Sequence, residues 1–152
     1  MISHLSKKKA SSLLAHNYVG NLGYIYKDSP YIVPITYFFD GKKTIIIYSS
    51  EGQKTFAMRK KNRVSLQVSE IENIDNWDSV LAHGIFEELS GIDAKSCLQE
   101  FAVGVKDVIL KREERNLHFI GEFSSKTYKD EIPVIFKITI DEITGKSRSH
   151  LF

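Results

Sequence analysis

Three consecutive isoleucines, Ile45-Ile46-Ile47, constrain this chain more than any other stretch. Every residue of the run "TIIIY" is β-branched or aromatic, and a strand turns alternate side chains to opposite faces. Both faces of this strand are therefore apolar, and both need cover. Its surroundings are strands as well. "GNLGYIYKDSPYIVPITYFFDGKKTIIIYSS" reads as three in succession, with Asp28-Ser29-Pro30 as the first turn and Asp40-Gly41 as a hairpin. "RVSLQVS" alternates Val64, Leu66 and Val68, and "WDSVLAHGIFEEL" sets Val80, Ala82, Gly84 and Phe86 on one face. A loop rich in Asp and Asn, residues 72–76, joins those two. "IPVIFKITID" puts Ile132, Val134, Phe136, Ile138 and Ile140 on one face of a last strand. Consecutive antiparallel strands of this kind close into a small barrel, which removes exposed edges. A barrel covers only the inside of Ile45–Ile47. A helix or a second subunit must cover the outside.

Helical spacing marks three segments. Leu5 to His16 carries Leu5, Leu13 and Leu14 on one side, and a second helix covers about Glu51 to Lys61. From Asp93, a reasonable N-cap, Leu98, Phe101, Ala102, Val105, Val108 and Ile109 recur at helical spacing. Six strands and three helices in 152 residues predict one mainly β domain over residues 1–152. Pro34 falls mid-strand, where its missing N–H points to an edge, a bulge, or an approach by something other than a strand.

Charge and composition remove several classes. Twenty-one basic against nineteen acidic side chains leave +2, too weak a field to drive nucleic-acid or membrane binding. Lys7-Lys8-Lys9, Lys42-Lys43 and Arg59-Lys60-Lys61 are short clusters that read as solvated faces. No apolar run approaches the roughly 20 residues of a membrane span, and the first residues show no signal-peptide pattern. One cysteine, Cys97, gives no internal disulfide and suits the cytoplasm. His4, His16, His83, His118 and His150 lack metal-ligand spacing, so no metal is expected. Glu87-Glu88 and Glu113-Glu114 are adjacent pairs that point to different faces, not carboxylate dyads. Tyr24, Tyr26, Tyr31, Tyr37 and Phe38 invite comparison with base-stacking sheets, but strand packing explains them without an RNA-binding motif.

The most suggestive chemistry follows the isoleucines, in "YSSEGQKTFAMRKKN", residues 48–62. A strand that ends at a helix start gathers unpaired N–H groups and the positive end of the helix dipole, which suits an anion. Ser49, Ser50 and Gln53 add neutral donors, Gly52 permits close backbone approach, Lys54 adds charge, and Arg59 can reach the same side. This is a phosphate cradle without the Walker pattern. The plainer reading is a Ser50-x-x-Gln53 capping box followed by a surface lysine.

Taken together, "PYIVPITYFFDGKKTIIIYSSEGQKTFAMRKKNRVSLQV" and "WDSVLAHGIFEEL" resemble the pyridoxamine 5′-phosphate oxidase-like, FMN-binding split barrels, in particular the nitroimidazole-resistance (Nim-type) branch. That branch typically shows a P-y-x-x-P-[VIL] strand, a D-G hairpin, an apolar strand, a G-x-K helix start, N-p-[RK]-V, and W-x-S-V with a later Gly. The likeness runs from about Leu13 to Leu89, with a looser echo in "IPVIFKITIDEITGK". It implies a six-stranded antiparallel FMN-binding split barrel, homodimeric, with FMN in a cleft at the subunit interface. Val33, Pro34, Ile35, Thr36 and Tyr37 would lie along the isoalloxazine ring and bond it through backbone groups. Tyr48, Ser49 and Ser50 would flank ribityl and phosphate, Gln53 and Lys54 would hold the phosphate, and Ser79 would reach the flavin from the next long strand. Trp77 would open that strand near the interface. The oxidase's paired Arg-Lys is Gln53-Lys54 here, its early arginine is Ile32, and the His common in Nim-type members is Tyr48.

The resulting expectation is a cytoplasmic, homodimeric FMN flavoprotein that passes electrons from a nicotinamide donor to a small organic acceptor. No side chain stands out as an acid or base, and no catalytic residue is assigned. The alternatives are a non-catalytic module holding flavin or haem, and a split-barrel dimer that has lost its cofactor.

Overall fold

The computed structural model describes residues 1–113 and 133–149. Ile132, Glu114, His118 and His150 lie outside those residues. The elements run β1 (Ile2–His4), α1 (Lys7–Ala15), β2 (Val19–Tyr26), β3 (Ser29–Phe39), β4 (Thr44–Ser50), α2 (Gln53–Lys60), β5 (Arg63–Asn73), β6 (Asn76–Glu88), α3 (Gly91–Glu113) and β7 (Pro133–Arg148). The sheet order is β1-β7-β4-β3-β2-β5-β6, and a further β6–β7 pairing closes a ring. Six strands make the barrel, as their alternation predicts. The short seventh, β1, is an addition that pairs only with the end of β7.

Parity along each strand sorts inside from outside. Leu22 and Tyr24, Tyr37 and Phe39, Ile45 and Ile47, Val64, Leu66 and Val68, Val80, Ala82 and Phe86, and Val134, Phe136 and Ile138 fill one core. Leu13 and Leu14 from α1, and Thr55, Ala57 and Met58 from α2, are buried as well. Each of these helices touches strands that are not neighbours in the ring, so each stops an open end of the barrel. Gly84 marks the tightest closure: a Cβ there would stand 2.4 Å from the Thr139 carbonyl oxygen of β7.

The question of the outer cover is settled within the chain. Ile46 is buried by α3, in a second cluster with Phe101, Val105, Ile109 and Ile135. The helix approaches closely because Gly104 leaves room; a Cβ there would meet the Phe38 ring at 2.2 Å. A helix, rather than a second subunit, therefore covers the doubly apolar strand.

Several local expectations change. The first hairpin turns at Lys27-Asp28, both with positive φ (50° and 63°), the two-residue I′ geometry that matches strand twist. Ser29 and Pro30 already belong to β3. Asp40-Gly41 turns as expected, with Gly41 at φ 84° and Asp40 Oδ1 accepting from the N–H groups of Lys42, Lys43 and Thr44. The loop over 72–76 shrinks to a tight link, since Asn73 and Asn76 pair across the β5–β6 hairpin. The third helix starts two residues earlier than Asp93, which sits in its first turn.

The capping of α2 is the correction that bears on function. Its N-cap is Gly52, not Ser50, which lies in β4 opposite Pro133. The Gly52 N–H donates to Thr55 Oγ1 at 3.1 Å, and that hydroxyl donates back to the Gly52 carbonyl at 3.1 Å. Thr55→Val keeps the shape and removes both bonds in a fully buried place, so it is expected to cost about 1–2 kcal/mol in denaturant unfolding. Ser50→Ala is expected to leave the capping of α2 untouched.

Candidate functional site

The barrel splits between β3 and β4. These strands pair only over Tyr37–Phe39 and Ile45–Ile47, and then diverge. Beyond that point β4 stays with β7, while β3 pairs with β2 over Ser29–Thr36. The Tyr37 N–H donates to the Tyr18 carbonyl at 2.8 Å on the β2 side. By alternation, residues 31, 33 and 35 also turn their backbone groups to β2, and residues 32, 34 and 36 turn theirs to the open side. Among the described residues no strand pairs with that edge. This explains Pro34 and Pro30: both stand where the missing N–H would face the open edge, so the β2–β3 ladder loses nothing.

At the same end, β4 runs through Ser50 and two linking residues into α2. A first helical turn leaves the N–H groups of Gln53 and Lys54 without intrahelical partners, and no side chain of the N-cap takes them up. Lys54 is a half-buried residue, and its ammonium has no partner among the described residues. Arg59 does not join it. Glu51 and Glu88 clamp the guanidinium between them: Nε and Nη2 donate to Glu88 at 2.7 and 2.7 Å, Nη1 donates to Glu51 Oε2 at 3.0 Å, and Nη2 also donates to Glu51 Oε1. The Arg59 hydrogen bonds hold the Glu51 and Glu88 carboxyls below their ordinary range and push the guanidinium up.

The other expected residues scatter by parity. Val33 and Ile35 turn inward onto the core, and Pro34 and Thr36 turn outward. Tyr37 is wholly buried, its hydroxyl donating to the Leu14 carbonyl at 2.6 Å, so only its backbone is near the edge. Burial pushes that phenol far above its ordinary range. Ser49 points into the barrel and is buried, while Ser50 points out. Tyr48 lies under α3, its ring 6.4 Å from that of Phe101.

Ser79 is not brought to this place. Two strands separate β6 from β3 in either direction around the ring. Its hydroxyl belongs to a polar row on the outer wall, accepting from Gln67 Nε2 at 2.9 Å and from Ser69 Oγ at 3.3 Å. Asn21 Nδ2 extends the row to Gln67 Oε1 at 3.0 Å, and Ser65 meets His83 at 2.6 Å nearby. Sequence reasoning missed this row and the Glu51–Arg59–Glu88 clamp. The polar residues alternating with Val64, Leu66 and Val68 were the available signal for the row. Half of the clamp, Glu51 and Arg59, lies eight residues apart within the quoted stretch, while Glu88 on β6 had no local signal. Three surface hollows of about 570, 540 and 440 Å³ meet at Arg112, on another part of the molecule.

A closed ring of six antiparallel strands, split between β3 and β4 and stopped by helices, defines the split-barrel class. A family profile described as pyridoxamine 5′-phosphate oxidase matches residues 6–147, and the chain belongs to that family. Its fold is similar to that of an FAD-binding protein from Mesorhizobium loti, at 25% identity and a TM-score of 0.76, over 99% of this chain and 98% of that one. It is also similar to a candidate 5-nitroimidazole antibiotic resistance protein from Bacteroides thetaiotaomicron, at 17% identity and a TM-score of 0.66, over 97% and 87%. In sequence it is 35% identical over 85 residues to an uncharacterized protein of Rhizobium meliloti. That match spans 56% of this chain and 56% of the relative's length.

Proposed function

We propose that the chain is a flavoprotein that holds FMN along the open edge of β3 and passes electrons from a nicotinamide donor to a small organic acceptor. The split carries this reading. Ile32 and Thr36 turn N–H and C=O groups to the open side, and Pro34 a lone carbonyl, a pattern that can meet the polar edge of an isoalloxazine ring. Beyond it stand the first turn of α2 and Lys54, without partners among the described residues, which suit a phosphate. Family membership and the likeness to an FAD-binding protein support a flavin. Lys54, the one cation at the α2 start without a partner among the described residues, favours one phosphate, hence FMN.

In this reading the backbone of Val33–Tyr37 orients the ring, and Ser50, Gln53 and Lys54 hold the phosphate. Ser49 and Tyr48 act from behind, as packing, rather than by touching it. Bound flavin supplies the two-electron chemistry. Ser79, on another wall, enters only through a second copy of the chain. A cytoplasmic homodimer remains part of the proposal, now motivated by the exposed Val19 and Ile32 rather than by Ile45–Ile47. Sedimentation at micromolar concentration is expected to show a dimer, and a stable monomer would remove that element.

No membrane-length apolar helix occurs among the described residues. The functional test is the absorbance spectrum of the protein as isolated, with the released cofactor identified by mass. Flavin bands, bleached by NADH or NADPH and restored by an acceptor, are the expected result. A colourless protein that takes up no flavin, or a haem Soret band in its place, would overturn the reading.

A further inference from the structure

Arg59 has two edges able to grip an oxyanion, and carboxylates hold both. Glu88 takes the Nε/Nη2 edge, and Glu51 takes the Nη1/Nη2 edge. The two are not equivalent. Glu88 stands in β6 opposite Phe136 of β7, a fixed anchor that aims the guanidinium. Glu51 stands in the short link between β4 and the Gly52 cap, with its side chain 54% exposed against 38% for Glu88. Space beside Gly52 is open, since a Cβ there would meet nothing within 4 Å.

A carboxylate on a guanidinium edge is the closest internal likeness to a phosphate oxyanion, and the two compete for the same fork. With Glu51 in place, Lys54 and Arg59 are balanced by Glu51 and Glu88, and an arriving dianion meets no net positive charge from these four side chains. With its side chain 54% exposed, Glu51 leaves this edge within reach of an arriving oxyanion that can match the same bidentate fork.

Resting on the reading of the α2 start as the phosphate end of a flavin site, we propose that Glu51 is a built-in competitor for Arg59. Its carboxylate occupies the guanidinium edge until a phosphate monoester displaces it. Residue 51 thereby sets how strongly the site prefers FMN over riboflavin, while Glu88 keeps Arg59 aimed.

The test titrates FMN and riboflavin separately into wild type, Glu51→Gln and the double variant Glu51→Gln/Arg59→Gln, with melting curves run alongside. Glu51→Gln is expected to tighten FMN binding about three- to tenfold and to leave riboflavin unchanged. The double variant is expected to lose that gain. Glu51→Ala provides a second removal of the carboxylate with the same expected direction. An unchanged FMN-to-riboflavin ratio in folded Glu51→Gln and Glu51→Ala, with both flavins still bound, overturns the competitor role and leaves the flavin site standing. A gain that persists without Arg59 also overturns it. Failure of wild type and variants alike to bind either flavin overturns both the competitor and the flavin reading.

Discussion

Phe101→Ala is expected to lower the stability of the whole protein by about 3–5 kcal/mol, the usual cost of emptying a buried phenylalanine site. The Phe101 side chain is fully buried between α3 and the outer wall of the barrel, with Ile46, Val105, Ile109 and Ile135 around it and Tyr48 stacked beside it. Its loss leaves a cavity over the strand that has apolar residues on both faces, so Ile46 is the first residue to lose cover. For a domain of this size each kcal/mol moves the melting midpoint by roughly 2–4 °C, and a fall of about 10 °C is expected. Leu110→Ala, on the exposed side of the same helix, is the control, with an expected shift of under about 2 °C. Equal midpoints for wild type and Phe101→Ala would mean that α3 does not provide the outer cover.

Lys54→Ala is expected to raise the FMN dissociation constant about ten- to a hundredfold, because one charge-assisted hydrogen bond to phosphate is worth roughly 1.5–3 kcal/mol. Riboflavin, lacking the phosphate, is expected to bind both proteins alike. The contrast depends on geometry that the structure supplies. Arg59 is committed to Glu51 and Glu88, which leaves Lys54 as the cation at the α2 start without a partner among the described residues. Parallel titrations by flavin fluorescence read the effect directly. Equal weakening for both flavins would place Lys54 away from the phosphate and return the segment to a plain helix start.

How far the sequence reached depends on whether a feature is local. Alternation at Val64, Leu66 and Val68, or at Val80, Ala82 and Phe86, is a property of one strand's backbone, and each of these residues does face the core. The Asp40-Gly41 turn is equally local, set by a positive φ and an Asp side chain that reaches its own neighbours. The order of strand, hairpin, strand and helix start was enough to carry the resemblance to a family to which the chain belongs.

What the sequence left open depended on partners distant along the chain. It asked what covers Ile46, and only the packing of α3 answered. It placed a cap at Ser50, but pairing with β7 kept that residue in the sheet and passed the role to Gly52 and Thr55. It offered Arg59 to an anion, and the folded chain gave it two carboxylates, Glu51 from the link before the helix and Glu88 from β6, which meets α2 only in space. Strand periodicity follows from the steric alternation of each backbone and needs no knowledge of the rest. Which side chain meets which across the barrel follows from ring closure, because strand pairing brings together residues whose separation along the chain carries no local signal.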